Sequence, residues 1–140
     1  FRCTYEDGTV DEVSYDDARK EIGRTSLKTA GSETCLRAVP EQDSVRPGGL
    51  AYIRLQYTDR QGEVKPLERG ILTVEVTGGR LLGLGSACPF NKIGYRTNRT
   101  DTYYGEALAV VQAEESGGVT LRVTDGNRSG EVTIPVKREG

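Results

Sequence analysis

The chain has 140 residues, which suits one domain with an appendage and is too short for two large domains. Hydrophobic residues make up 35% and charged residues 29%, a balance typical of a folded chain rather than a disordered one. The 19 basic and 21 acidic residues are spread along the chain and give a net charge of -2. Because no basic stripe could neutralise phosphates, nucleic acid is not an expected partner. No apolar run approaches the roughly 20 residues that cross a bilayer, so no membrane partner is expected either.

The side chains available for catalysis are restricted, because the chain has no histidine. Histidine is the commonest general base and metal ligand, so its absence excludes Ser-His and Cys-His catalysis within the chain. The three cysteines, Cys3, Cys35 and Cys88, lack CxxC spacing and predict free thiols rather than a zinc site. A bridge between Cys3 and Cys35 stays open if their segments pair as strands. No metal and no cofactor are expected.

Residues 1–38 are predicted to form a few strands that are too short to fold alone. A turn at Asp7-Gly8 is expected to join one strand with Cys3 and Tyr5 to another with Val10 and Val13. Residues 15–22 are expected to form at most one turn of helix, and further strand segments lie near 23–29 and 34–39. Fewer than about 40 residues rarely bury enough surface to fold independently, so this segment should pack on the C-terminal remainder of the chain or belong to a preceding domain.

A second unit is predicted to begin after the Pro-, Gly- and charge-rich stretch at 40–49. Residues 50–58 alternate as a strand whose apolar phase is Ile53, Leu55 and Tyr57. A turn at 59–62, a strand at 71–76 and a short run at 80–84 come next along the chain.

The C-terminal half predicts a long loop followed by core strands. Residues 85–102 are rich in turn residues and predict a long exposed loop. The apolar run at 107–111 predicts a central strand buried on both faces, and residues 119–136 predict a hairpin that turns at Asp125-Gly126. Six or seven strands in some 90 residues indicate an all-β, immunoglobulin-like β-sandwich held by packing rather than by a disulfide.

Two runs in the second unit are distinctive: LGLGSACP occupies 82–89 and TYYGEALAVV occupies 102–111. They resemble the C-terminal immunoglobulin-like domain of glycoside hydrolase family 2 enzymes of the bacterial β-galactosidase kind. In that domain a "GxGSAxP" run leads through a variable loop to "TxxGxALAVV". In addition, YTDRQGEV at 57–64 resembles the "DxxG" turn of that domain, and LKTAG at 27–31 resembles the "LxTxG" end of the domain before it.

The resemblance implies that this chain is the C-terminal end of a larger bacterial glycosidase. Residues 1–38 would be the terminal strands of a preceding β-sandwich module, and residues 39–140 the immunoglobulin-like domain. Family 2 catalysis uses two glutamates on a (β/α)8 barrel, which is absent from this chain, so no catalytic residue is carried over. The expected role is a non-catalytic accessory domain that supports domain packing or oligomer assembly, with the other domains of the parent as partners. A bacterial cytoplasmic location is favoured over secretion.

Four aromatic residues around the predicted long loop are candidates for carbohydrate binding, because sugars commonly stack on aromatic faces. They are Phe90, Tyr95, Tyr103 and Tyr104. The competing interpretation, and the commoner fate of tyrosines, is that Tyr103 or Tyr104 enters the core while Phe90 pins the loop. A carbohydrate-binding module is therefore one alternative function, and an immunoglobulin-like repeat of a bacterial surface adhesin is another.

The remaining acidic and amide side chains give weak signals. Asn91, Asn98 and Asp101 could offer oxygen ligands to calcium, but they lack the ligand spacing of a calcium loop. The pairs Asp16-Asp17 and Glu114-Glu115 diverge in extended chain and are expected to be solvated charges rather than a glycosidase dyad.

Overall fold

The computed structural model describes residues 2–115 and 117–137, and within them every regular element is a β-strand. No helix that could cross a membrane occurs in this described part. The strands form one two-stranded sheet, β1-β2, and two four-stranded sheets in the orders β10-β9-β5-β7 and β3-β4-β8-β6. In chain order they are β1 Thr9–Tyr15, β2 Glu21–Lys28, β3 Cys35–Pro40, β4 Leu50–Thr58, β5 Ile71–Thr77, β6 Gly79–Gly85, β7 Arg99–Asp101, β8 Glu106–Ala113, β9 Gly118–Thr124 and β10 Ser129–Pro135.

The two four-stranded sheets face each other across one apolar core, which confirms the predicted immunoglobulin-like β-sandwich. On β4, Ile53, Leu55 and Tyr57 are buried, as the alternation of that strand predicts. The neighbouring strand β8 and strand β9 of the facing sheet contribute other buried side chains, and burying each Val, Leu or Ile stabilises the fold by roughly 1.5–3 kcal/mol. These partners include Ala107, Ala109, Val111, Val119, Leu121 and Val123.

The prediction that residues 107–111 are buried on both faces is wrong for the outer face. Strand β8 is central, because it pairs with β4 on one side and β6 on the other. Its inward side chains fill the core, but Leu108 remains 38% exposed and Val110 is only partly buried. Central position in a sheet satisfies the backbone of a strand, whereas a second covering layer is needed to bury its outer face. No such layer exists among the described residues.

The N-terminal hairpin is formed by β1 and β2, and the predicted strand-joining turn at Asp7-Gly8 is wrong. The strands pair from Thr9 with Lys28 to Tyr15 with Glu21, so the turn lies at 16–20. There the Asp16 carboxylate accepts a hydrogen bond from the backbone N–H of Lys20 at 2.8 Å, and Arg19 adopts a left-handed φ of 61°. This turn closes a hairpin where at most a helical turn was expected.

Strand β3 belongs to the sandwich over its whole length. Residues 35–40 pair with 53–58 of β4, and Leu36 is part of the core. At the same edge, Gly130 of β10 lies so close to the backbone of Leu36 and Arg37 that a Cβ would not fit without a shift. The boundary that the sequence suggested between 38 and 39 therefore falls inside a strand of this sandwich.

Candidate functional site

The hairpin exposes an apolar surface that the rest of the described chain does not cover. Val10 and Leu27 are cross-strand partners, and Leu27 is 76% exposed. Together with Tyr5 they line a cleft of about 620 Å³ whose other wall includes Pro66 and Leu67 of the segment after β4. We call Tyr5, Val10, Leu27 and Leu67 the hairpin surface.

The opposite face of the hairpin carries a cluster of charged and hydroxyl side chains, together with Val13, which is the cross-strand partner of Arg24. Arg24 bonds the Asp11 carboxylate at 2.9 Å and the Glu21 carboxylate at 3.1 Å, and the Ser26 hydroxyl donates to Asp11 at 2.6 Å. These pairs are exposed, so each contributes little stability. The ion pairs lie on the face turned away from Val10 and Leu27, which line the cleft.

The base of the hairpin is tied to the sandwich by Asp59, a buried residue in the turn after β4. Its carboxylate accepts hydrogen bonds from the backbone N–H groups of Gly31 at 2.8 Å and of Gln61 and Glu63 at 2.9 Å. The bond from Gly31, followed by those from the turn, holds the pKa of Asp59 below its ordinary value. The Lys65 ammonium also donates to the carbonyl oxygen of Ser32 at 3.0 Å. The orientation of the hairpin base is thereby fixed to the sandwich.

The predicted exposed loop at 85–102 is partly wrong, because it contains strand β7 and buried anchors. Thr100 pairs with Leu72 of β5 and is fully buried. The Ser86 hydroxyl donates to the Asp101 carboxylate at 2.8 Å, which joins the two ends of the loop. Polar residues can be buried here because their side chains find partners, and the sequence alone does not reveal those partners.

Tyr103 and Tyr104 form a tight turn before β8. The backbone N–H of Tyr103 donates to Glu106 at 2.9 Å and the return bond is 3.2 Å, while Tyr104 and Gly105 have φ of 49° and 78°. This is the geometry of a type I′ hairpin turn, in which a bulky residue at the first central position is strained. The two rings meet edge to face at 4.6 Å between centroids. Tyr104 and partial burial raise the pKa of Tyr103, so its phenol stays protonated at neutral pH.

The four candidate aromatics do not form a single platform. Tyr95 and Tyr103 line one groove on the outer face of the β3-β4-β8-β6 sheet, which we call the sheet groove. Tyr103 and Tyr104 line another, with Leu67. Phe90 is 82% exposed and lies outside both. The competing prediction that Tyr103 or Tyr104 enters the core is wrong, since they are 38% and 63% exposed.

The sheet groove also contains residues that sequence reasoning missed. Arg54 on β4, Glu41 after β3 and Glu106 on β8 line it together with Gly83 and Gly85 of β6. Two sequence signals could have indicated these residues: the outward-facing positions of the alternating strands β4 and β8, and the glycines at alternate positions of β6. The grouping itself comes from pairing between distant segments.

The weak calcium candidates have other roles. The Asn91 amide oxygen accepts backbone N–H bonds from Ile93 at 2.9 Å and Gly94 at 3.1 Å, and the Asp101 carboxylate is engaged by Ser86. Asn98 is exposed, and its backbone carbonyl oxygen accepts a hydrogen bond from the backbone N–H of Val74. Within residues 2–115 and 117–137, no three His, Cys, Asp or Glu side chains form a group that could hold a metal. The three cysteines are free thiols.

The fold matches known structures of glycosidases. It resembles a glycosyl hydrolase family 2 member from Bacteroides cellulosilyticus DSM 14838, with 24% identity, 93% of this chain and 18% of that chain covered, and a TM-score of 0.81. A beta-glycosidase from Bacteroides vulgatus matches at 22% identity over 94% of this chain and 18% of that one, with a TM-score of 0.82. A family 2 beta-glucuronidase matches at 19% identity over 99% of this chain and 15% of its own, with a TM-score of 0.77.

These likenesses at below 25% identity establish the fold, and the chain spans less than a fifth of each protein, at 18%, 18% and 15%. A search of curated proteins gives no match. A family model described as "Glycoside hydrolase family 2 C-terminal domain 5" matches residues 36–140, which is most of the chain and includes the whole sandwich from Leu36 onward. The resemblance read from the sequence is thereby confirmed: the chain belongs to the family of glycoside hydrolase family 2 C-terminal domains.

Proposed function

We propose that the chain is a non-catalytic accessory domain of a larger family 2 glycosidase, and that its hairpin docks on the module that precedes it in that polypeptide. The observation that carries this proposal is the hairpin surface. A lone two-stranded ribbon is marginally stable in water, and contiguous exposed apolar side chains mark interaction sites. The family match supports a C-terminal position in the parent enzyme.

The hairpin is suited to extending a neighbouring sheet. Among the described residues, β1 and β2 pair only with each other, so each strand keeps one edge with free backbone groups. Such an edge adds readily to another sheet, and Val10 and Leu27 would then be buried beneath it. Residues up to the base of the hairpin would complete a preceding β-sandwich module, as the "LxTxG" resemblance at 27–31 implies. The hydrogen bonds that join Asp59 and Lys65 to the base of the hairpin would then fix the orientation of the sandwich relative to that module.

A non-catalytic role accords with the chemistry of the chain. Retaining glycosidases need two carboxyl groups about 5 Å apart in one pocket, with one acting as acid and base. The acids that line the sheet groove each have a polar partner: the Glu41 carboxylate pairs with Arg54 at 3.0 Å, and the Glu106 carboxylate accepts a hydrogen bond from Gln56 at 2.6 Å. For the parent enzyme we infer a β-galactoside substrate from the runs at 82–89 and 102–111. Hydrolysis rates of the parent enzyme on a β-galactoside and on a β-glucuronide, each with a chromogenic leaving group, distinguish a galactosidase from a glucuronidase.

Adjacent positions on β2 provide a matched test, because Ser26 and Leu27 have opposite orientations and only Leu27 lines the cleft. We expect Leu27→Ser in the longer glycosidase to loosen the domain, since burying a leucine contributes roughly 1.5–3 kcal/mol. Ser26→Ala changes the opposite, exposed face and should have little effect. Limited proteolysis between the modules measures the difference. Equal cleavage rates in the two variants would refute docking through the hairpin surface.

A further inference from the structure

The sheet groove is an open concave site on a rigid part of the sandwich. Leu108 and Val110 of β8 alternate with core residues and therefore face outward. Their partners on β6 are Gly85 and Gly83, which carry no side chains to cover them. The groove has a volume of about 520 Å³, within the roughly 300–1,000 Å³ that is usual for ligand pockets.

Tyr95 forms one wall because the loop places it against the bare edge of the sheet. Its backbone carbonyl accepts a hydrogen bond from the N–H of Leu84 at 2.9 Å. Its ring lies where a Cβ on Gly85 would be, so the glycine is required for this position. The Asn91 amide oxygen fixes the same loop through its bonds to Ile93 and Gly94. Tyr95 is thus an exposed aromatic side chain held by backbone contacts.

Tyr103 supplies a second ring, and charged groups line the rest of the groove. Reciprocal backbone bonds between Tyr103 and Glu106 fix the position of the tyrosine at the start of β8. The Arg54 guanidinium keeps further N–H donors beyond its bond to Glu41, and a carboxylate such as that of Glu106 accepts more than one hydrogen bond. The site therefore combines aromatic faces with both donors and acceptors.

We propose that the sheet groove binds a short segment of a neutral glycan chain, stacked on Tyr95 and Tyr103 and hydrogen-bonded by Arg54, Glu41 and Glu106. A sugar ring presents apolar C–H faces to aromatic rings and hydroxyl groups that both donate and accept. Groups of both charge signs match hydroxyls better than they match an anionic or cationic ligand. The choice of a glycan rests on the proposed function, whereas the geometry of the groove does not.

Titration of the 140-residue chain with neutral oligosaccharides, followed by NMR chemical shifts, tests the proposal. The panel is galacto-oligosaccharides and fragments of neutral plant polysaccharides, up to about 10 mM. We expect saturable shifts at the amides of Gly83, Gly85, Leu108 and Val110. Tyr95→Ala and Tyr103→Ala should each weaken binding about tenfold, as central aromatic contacts do, and Tyr95→Phe should restore it.

The matched control is Phe90→Ala, which removes an exposed aromatic outside the groove and should leave the affinity unchanged. Dispersed spectra of each variant establish that it is folded. Absence of saturable shifts at about 10 mM, equal losses in the Phe90 and Tyr95 variants, or shifts confined to the hairpin surface would each overturn the proposal. Leu27→Ser should not affect this binding, so failure of glycan binding and failure of hairpin docking are separate results.

Discussion

Replacement of Tyr57 by phenylalanine tests how the two sheets are held in register. Tyr57 is buried near the end of β4, and its hydroxyl donates to the Asp125 carboxylate at 2.9 Å. Asp125 lies in the β9–β10 turn of the other sheet, where it also accepts the backbone N–H groups of Asn127 at 2.8 Å and Arg128 at 2.6 Å. The bond therefore joins one end of the sandwich across its core.

The expected loss is about 1.5–3 kcal/mol, the usual contribution of a hydrogen bond to a charged group. We expect a value near the lower end, because Asp125 keeps its backbone donors and is not left without a partner. The ring of phenylalanine still fills the core, so no cavity is added. Equilibrium urea unfolding measures the change, with an unchanged denaturant slope expected.

The same contact predicts a loss of stability at alkaline pH. Burial, followed by the hydrogen bond to Asp125, raises the pKa of Tyr57 above the ordinary 10.0. A pKa that is higher in the folded state contributes stability that is complete below pH 10 and is lost as the pH rises from there toward the folded value. Tyr57→Phe should reduce that alkaline dependence. If Tyr57→Phe lowers the free energy of unfolding at pH 7 by less than about 0.5 kcal/mol, the hydrogen bond to Asp125 does not hold the two sheets together as described.

Three further predictions concern acid stability, backbone strain and the core. The pKa of Asp59 is lowered in the folded state, so its ionised carboxylate stabilises the fold above the ordinary pKa of 3.8, and this stabilisation is lost as the pH falls below that value. Asp59→Asn should therefore make the urea midpoint depend less on pH between about pH 5 and pH 2. Tyr104→Asn should raise stability by about 1 kcal/mol, because asparagine tolerates the left-handed conformation, and an unchanged or lower urea midpoint would contradict this. Leu121→Ala should cost about 2–5 kcal/mol by calorimetry, whereas a cost below about 1 kcal/mol would contradict its place in the core.

The fold was predictable where side-chain alternation alone determines burial. The period of two in β4 correctly assigns Ile53, Leu55 and Tyr57 to the core. The same reasoning fails on β8, because an apolar run does not reveal whether another layer covers its outer face. Leu108 remains exposed for that reason.

The hairpin was misplaced because the strongest local turn signal is not the turn that forms. Asp7-Gly8 is a favoured turn pair, yet the ladder continues past it, with Gly8 accepting the N–H of Thr29. The actual turn depends on the Asp16 side chain and on Arg19 in a left-handed conformation that a non-glycine residue seldom adopts.

The candidate site was only partly predictable, because its residues come from distant segments. The aromatic content of the loop placed Tyr95 and Tyr103 among the candidates, and these two line one groove, but it grouped them with Phe90, which lies elsewhere. The bond between Leu84 and Tyr95 and the pairing of β4 with β8 bring the groove together. Local sequence gives the inward and outward positions of each strand, but it does not show which distant strands become neighbours in the sheet.

Hydrogen exchange tests most directly whether the domain docks through its hairpin on a preceding module, as proposed above. Amide exchange would be measured by mass spectrometry for the chain alone and for the same residues within the proposed longer polypeptide. If the hairpin docks, β4 and β8 should exchange slowly in both proteins, whereas β1 and β2 should exchange rapidly in the isolated chain and become protected in the longer protein. Rapid exchange of β1 and β2 in both proteins, or protection equal to that of β4 already in the isolated chain, would contradict docking through the hairpin.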